Sequence, residues 1–205
     1  KDCTLLYLWP GAVAAGVCGK ICRDWLGSEG QSLSLRLLAA QGGLADTEAG
    51  LDLWRLAALA HEDRETEATL LGRDGWNAIS RKLASADHGR RFLTAWDRFM
   101  ATHGQHCHSE LEFFSPRWAE MPDYILALVQ SYLQSIDRAN PLKKHRQLAE
   151  ERERLTEQCR RKLRNPAKRR LFDWSLRRTQ NLTRDRENWK NEAVRLFAGF
   201  RRVFL

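Results

Sequence analysis

Residues 124–137 read YILALVQSYLQSID, and their spacing settles the fold class. Ile125, Leu128, Val129, Tyr132, Leu133 and Ile136 recur at three- and four-residue intervals, the repeat of one helix face. Asn140-Pro141 ends the pattern, since the residue before a proline is driven out of helical geometry. Upstream, residues 90–102 repeat the pattern with Phe92, Trp96, Phe99 and Met100. Between these two helices lies HGQHCHSELEFFSPRWAEMPDY, residues 103–124, which has no periodicity at all. A polar, Pro-bounded interruption between helices is where a helical domain places chemistry or a rigid joint.

The same reading extends outward. Residues 1–30 read as a helix broken near Trp9-Pro10-Gly11, and residues 33–40 as a short helix stopped by Gly42-Gly43. Asp46-Thr47-Glu48 looks like a helix N-terminal cap with acidic first-turn residues. The helix it opens carries Leu51, Trp54, Ala58 and His61 on one side. A charged stretch, HEDRETEATLLGRDG at 61–75, separates it from the next helix. Downstream, Leu148, Arg152, Leu155, Cys159 and Leu163 mark the core side of a long charged helix that Asn165-Pro166 breaks. A helix from Ala167 to Arg178 follows, and a last one places Trp189, Ala193, Leu196, Phe197, Phe200 and Val203 on one face. No strand period and no fixed repeat occurs, and helix formers dominate over β-branched residues. The expected fold is all-α, an irregular multi-helix bundle over residues 1–205, read as a single domain.

The bulk numbers narrow the function. A 43% hydrophobic and 29% charged composition supports a packed, water-compatible core. The longest apolar run, Thr4 to Cys18, is shorter than the ~20 residues of a membrane span. No membrane partner is expected, and the chain is read as cytoplasmic. Five unpatterned cysteines read as reduced thiols. The net charge of +8 is uneven: residues 1–140 carry 14 Lys and Arg against 18 Asp and Glu, a net of −4, whereas 141–205 carry 20 against 8, a net of +12. Such a basic C-terminal part calls for an anionic partner. The chain starts without Met and stops on an apolar helical pattern, so it is expected to be part of a longer protein.

Three chemistries can be weighed. His103, His106, Cys107 and His108, with Glu110 and Glu112 behind, are zinc-type residues, but their spacing fits no finger and no HExxH helix; no metal is expected. Cys107 beside histidines suggests a nucleophile pair, yet partners must converge in space, and no GxSxG, phosphate loop or GxGxxG is present. The basic clusters Arg160-Arg161-Lys162, Lys168-Arg169-Arg170, Arg177-Arg178 and Arg201-Arg202, with Trp174 and Trp189, could engage nucleic acid. The simpler reading, which sets nucleic acid aside, is a core role for the tryptophans and a solvated Arg face paired with Glu150, Glu151, Glu153 and Glu157. Arg186 and Lys190 stand one helical turn apart with Glu187 on another face. Two like charges so placed make sense where a phosphoryl group arrives.

The segment 104–122 resembles a motif of the phosphoenolpyruvate synthase-like phosphotransferases, which include rifampicin phosphotransferases. Gly104-Gln105-His106 is followed by Ser109-Glu110-Leu111-Glu112 and then by Pro116-Arg117-Trp118-Ala119-Glu120-Met121-Pro122, spaced without a gap. Gln105, His103 and Ser109 depart from that pattern. Residues 42–54 resemble the family's Gly-rich turn and Leu-rich helix, and RENWKNEAVRLFAGFRR its Arg-Glu-x-x-Lys helix, so the likeness runs from about residue 35 onward. The resemblance implies a part of an ATP-dependent dikinase-type phosphotransferase: the helical middle domain, which binds the small-molecule acceptor. The same protein's ATP-grasp domain and swivelling phosphohistidine domain would be its partners. It also implies no cofactor bound by this domain, with ATP and Mg needed by the whole protein and no activity alone. By resemblance, Arg186 and Lys190 face the phosphoryl group. Glu110, Arg117, Trp118, Glu120, His106 and Trp189 bind the acceptor or support the site, with an Arg-carboxylate pair expected in the motif. The alternative is a non-enzymatic basic helical module for nucleic acid or a protein partner.

Overall fold

The structure of the chain, a computed structural model, describes residues 3–27, 30–110, 112–138 and 140–204. Of the residues read above, Leu111 and the side chains of Cys3, Thr4, Trp9 and Arg202 lie outside the described ones. The fold is all-α. Among the described residues there are nine α-helices and no strand: α1 (Cys3–Leu26), α2 (Gly30–Leu37), α3 (Ala45–His61), α4 (Arg64–Leu70), α5 (Trp76–Ala84), α6 (Asp87–His103), α7 (Pro122–Gln134), α8 (Pro141–Lys162) and α9 (Pro166–Phe204). A 3₁₀ turn, Trp118–Glu120, precedes α7. No helix among them is long and apolar enough to cross a membrane.

The helices form two compact units, each built from two pieces of the chain. The first comprises Lys1–Ala45 and Leu142–Lys190. Its core joins Cys18, Ile21 and Cys22 of α1, Leu37 of α2, Leu155 and Cys159 of α8, and Phe172 and Leu176 of α9. The three- and four-residue spacings put each set on one face. Thr179 Oγ1 donates to the Ala14 carbonyl at 3.0 Å and Gln180 to that of Leu37 at 3.1 Å. Arg160 Nε bonds Asp173 at 2.8 Å. Cys18, Cys22 and Cys159 are buried free thiols, as is Cys107 in the other unit. The Cys22 thiol, and then the Ser175 and Thr179 hydroxyls, outweigh burial and lower Cys18 to about 7, while Cys22 is pushed up.

The second unit comprises Asp46–Pro141 and Asn191–Leu205. Its core gathers Leu53, Leu56 and Ala57 of α3, Leu70 of α4, Ile79 and Leu83 of α5, Phe92, Trp96 and Phe99 of α6, and Ile125, Leu126, Val129 and Leu133 of α7. Trp76 stacks on Trp96 with centroids 3.6 Å apart. Asp123, in the first turn of α7, accepts from the Trp76 backbone N–H at 2.6 Å and so closes the start of α5.

Several elements differ from the sequence expectation. The first helix is not broken: α1 runs through Pro10, whose ring removes one helix hydrogen bond without ending the helix. The charged stretch contains α4, capped by Asp63, whose carboxylate accepts from the Thr66 N–H at 2.7 Å. Only Thr66 and Leu70 of α4 are buried, too few to show a period. Asp46 lies inside the first turn of α3 rather than capping it. That helix buries Leu53, Leu56 and Ala60 as well as Leu51 and Trp54, while His61 is exposed. No break follows Arg178; α9 is one helix of 39 residues. Of the apolar residues read as sharing one face of the last helix, Trp189, Leu196, Phe200 and Val203 are more than half exposed, and Ala193 and Phe197 are half-buried. The inward positions are Asn191 and Val194 instead. Trp174 is exposed too, so neither basic-region tryptophan is core. Leu148 of α8 is likewise exposed.

Candidate functional site

The non-periodic segment 104–121 is a closed loop of the second unit. It leaves α6 at Gly104, whose N–H bonds the Met100 carbonyl at 2.8 Å. A Cβ at Gly104 would lie 2.4 Å from that carbonyl oxygen and 3.0 Å from the Ala119 Cβ. Only glycine lets the end of α6 and the 3₁₀ turn come this close. Two backbone bonds close the loop, Trp118 N–H to His106 O at 2.8 Å and Ala119 N–H to Gly104 O at 3.0 Å.

Arg117 fills the loop from inside. It is only 3% exposed. Its Nη1 donates to Cys107 Sγ at 2.8 Å and to the Glu110 carbonyl at 3.1 Å, and its Nη2 donates to the Glu112 carbonyl at 3.2 Å. Nε is buried without a partner. A guanidinium that satisfies three groups of one loop fixes that loop as a single body. The Arg-carboxylate pair expected within the motif is therefore not made by Arg117. It forms between Glu120 and Arg201 of α9, with Nε to Oε1 at 2.8 Å and Nη2 to Oε2 at 3.0 Å, while Arg201 Nη1 reaches the Phe113 carbonyl at 2.9 Å. Arg201, then the Arg117 backbone N–H, hold the Glu120 carboxyl below its ordinary range. A second link to α9 runs from Gln105 Nε2 to Asn191 Oδ1 at 3.3 Å.

The histidines and the cysteine do not act as one cluster. His103 Nε2 meets Asp52 Oδ2 at 2.9 Å. Burial opposes ionisation of Asp52, but hydrogen bonds from His103 and Arg55 prevail and lower its pKa. His106 Nδ1 meets Glu110 Oε1 at 2.7 Å, and its Nε2 is buried and unpaired. Cys107 bonds Arg117, not a histidine, and His108 points to solvent. Trp118 packs between Phe99 and His106, with centroids at 6.2 and 5.1 Å. Among the described residues, one trio of ligand-type side chains converges: Asp46, His106 and Glu110, with their nearest ligand atoms all within 4.8 Å of one another. A cleft of about 570 Å³ opens between α3 and α6, walled by Trp54, Leu56, Leu59 and Phe99 and rimmed by Asp52 and Arg98. Of the residues that line it, Phe99 packs on Trp118 of the loop and Asp52 pairs with His103 at the end of α6. Its lining is mixed rather than purely apolar.

Arg186, Trp189 and Lys190 belong to the first unit. Glu187 does not stand apart from the two cations. Arg186 Nε reaches Glu187 Oε1 at 3.1 Å and Lys190 Nζ lies 3.4 Å from Oε2. A glutamate side chain is long enough to swing between its i−1 and i+3 neighbours, which counting helix faces does not show. Of the pairs expected between the basic clusters and the α8 glutamates, Arg161 meets Glu157 at 3.1 Å and Arg160 meets it at 3.9 Å, whereas Glu151 pairs with Arg36 of α2. Sequence reading missed Arg201, Asp46 and Asp52. Arg201 stood in a routine Arg-Arg pair, Asp46 was read only as a helix start, and Asp52 carried no motif.

Comparison with known proteins adds to this geometry. A stretch of 92 residues, 45% of the chain, is 33% identical to the chondramide synthase cmdD of Chondromyces crocatus, and the match spans about 2% of that synthase. The family model described as the rifampicin phosphotransferase fourth domain matches residues 5–187. The matched stretch starts some thirty residues before the resemblance visible by eye, contains the whole closed loop with Arg186, and stops three positions short of Lys190. The chain belongs to the rifampicin phosphotransferase fourth-domain family.

Proposed function

We propose that this chain is the acceptor-binding domain of an ATP-dependent phosphotransferase whose phosphoryl group travels on a histidine of another domain. The family match over residues 5–187 carries the reading. The chain itself has no phosphate-cradling glycine loop, so ATP, Mg²⁺ and the phosphohistidine are assigned to partner domains of the same protein. The acceptor is a hydroxylated, largely apolar small molecule, such as an ansa macrocycle of the rifampicin type. The α3–α6 cleft, within the usual range of ligand-sized cavities, receives its apolar body. The closed loop keeps the neighbouring walls fixed. Arg186 and Lys190 stabilise the charge of the transferring phosphoryl group, the main lever in such reactions. In the resting chain Glu187 shares them; an arriving phosphoryl group competes with that carboxylate.

Titration calorimetry of the purified chain with rifampicin tests this. One-to-one binding without ATP turnover is expected. Turnover of ATP by the chain alone would sink the assignment. The second reading is a basic module for nucleic acid, and it draws on the exposure of Trp174 and Trp189 beside the Arg clusters. Filter binding of a single-stranded RNA at 50 and 200 mM salt separates the two, because a steep salt slope belongs to the second.

A further inference from the structure

We infer that His106, oriented by Glu110, is the base that takes the proton from the acceptor hydroxyl as the phosphoryl group arrives; this rests on the phosphotransferase reading above. Phosphorylating a hydroxyl requires somewhere for its proton to go. Nδ1 of His106 lies 2.7 Å from Glu110 Oε1. A carboxylate only accepts, so Nδ1 carries the hydrogen and the lone pair sits on Nε2. That Nε2 is buried and bonds nothing. Among the described residues, His106 alone joins a carboxylate on one ring nitrogen to a buried, unpaired second nitrogen.

Three other histidines show the contrast, and His145, whose Nε2 is also buried and unpaired, has no described carboxylate on its ring. His61 and His88 form surface pairs with Glu67 and Glu65. His103 spends its Nε2 on Asp52. An imidazole kept merely to brace the loop would lose about 1–3 kcal/mol by leaving a buried nitrogen unpaired. Both Arg117 Nη groups and Glu120 are engaged in this loop; of its two unpaired buried nitrogens, Arg117 Nε can only donate, so the His106 nitrogen is the one with a lone pair for a group from outside. The Trp118 and His103 rings pack against it, with centroids at 5.1 and 6.0 Å. Asp46, converging with Glu110 on the same ring, supplies a second negative charge for the imidazolium that forms.

The step balances as follows. The hydroxyl proton passes to Nε2, and the oxygen forms its bond to phosphorus. The phosphorus–nitrogen bond of the donor phosphohistidine breaks, its electron pair returning to that imidazole. His106 is left as an imidazolium between Glu110 and Asp46, and it loses the proton to water afterwards.

The test uses the full polypeptide that carries this domain, charged with ATP and Mg²⁺, with rifampicin as the probe. His106→Asn is expected to lower phosphoryl transfer from the charged enzyme about 100-fold, the usual worth of a positioned base. The amount of phosphoenzyme and the rifampicin Kd should stay within about threefold of the unaltered protein. Glu110→Gln should shift the acid limb of the pH–rate profile. Among the described residues, Asp46 of α3, His103 of α6 and Glu110 lie close to this ring, so that shift should persist in His103→Gln. It also decides the matter if His106→Asn fails to fold. Transfer by His106→Asn within threefold of the unaltered enzyme, or a loss matched by lost rifampicin affinity, overturns the assignment. An unaltered phosphoenzyme that never passes its group to rifampicin overturns the phosphotransferase reading, and this inference with it.

Discussion

The loop 104–121 and the Arg186–Lys190 turn of α9 are both rich in charge, yet they are built on opposite plans. In the loop, Arg117 is buried and bound to a thiol and two backbone carbonyls, and Glu120 is locked to an arginine 81 residues away. In the turn, Glu187 serves two partly exposed cations that are its near neighbours on the same helix. The first arrangement fixes shape; the second joins side chains alone. Charges in a protein are rigid where the backbone closes around them and adjustable where only side chains meet.

The contrast breaks first at Arg117. Arg117→Ala should destabilise the chain by about 3–5 kcal/mol, since it leaves buried carbonyls and a thiol without their donor. Urea unfolding followed by tryptophan fluorescence measures this. A loss below about 1 kcal/mol, the range of a surface pair, would show that the loop is not a rigid body. Gly104→Ala comes next, at about 1–3 kcal/mol, because its Cβ meets the Met100 backbone oxygen. The same melts, compared with Gly42→Ala, where nothing lies near, provide the control.

A smaller effect comes from Glu120, with a sign set by pH. Its carboxyl is held below the ordinary value of 4.5. Its contribution is therefore fully present above that value and lost as pH falls below it. Thermal melts of the unaltered chain and of Glu120→Gln should differ at pH 7 and converge near pH 3. A gap that widens on acidification would refute the Arg201 tether. Smallest in stability is Glu187→Gln, expected within about 0.5 kcal/mol because Arg186 and Lys190 are partly exposed. Its signal lies elsewhere. Inorganic phosphate, followed by ³¹P line broadening, should bind the variant more tightly than the parent. Equal binding would remove Glu187 as the competitor for these cations.

How much of this was legible in the residues follows from distance along the chain. α6 and α7 announced themselves because Phe92, Trp96 and Phe99, and Ile125, Val129 and Leu133, repeat with the helix period and face one core. The motif of the loop was readable because its members lie within twenty residues of one another. The interior of that loop was not. Arg117 was expected to face a carboxylate, but backbone carbonyls took it, and no side-chain pattern records where carbonyls point. Arg201 was read as part of a solvated basic face, since nothing near it in sequence names Glu120. α4 hid inside a charged stretch because two buried positions, Thr66 and Leu70, make no period. The far side of α9 misled most: its apolar stripe is real in sequence, yet Leu196, Phe200 and Val203 face solvent, while Val194 packs inward. Periodicity shows that a helix has a greasy side, but not which side its own unit covers.

The two links from α9 to the loop, Asn191 with Gln105 and Arg201 with Glu120, also carry a rule about chain length. They stand ten residues apart on one helix, about 15 Å along its axis. Adding or removing a single residue between them would turn one contact by about 100° around the axis and slide it by about 1.5 Å. Either link alone tolerates such a change; the pair does not. Over evolutionary time the segment 191–201 should therefore accept substitutions on its solvent side freely, and insertions or deletions hardly at all, as a key keeps the distance between its notches whatever metal it is cut from.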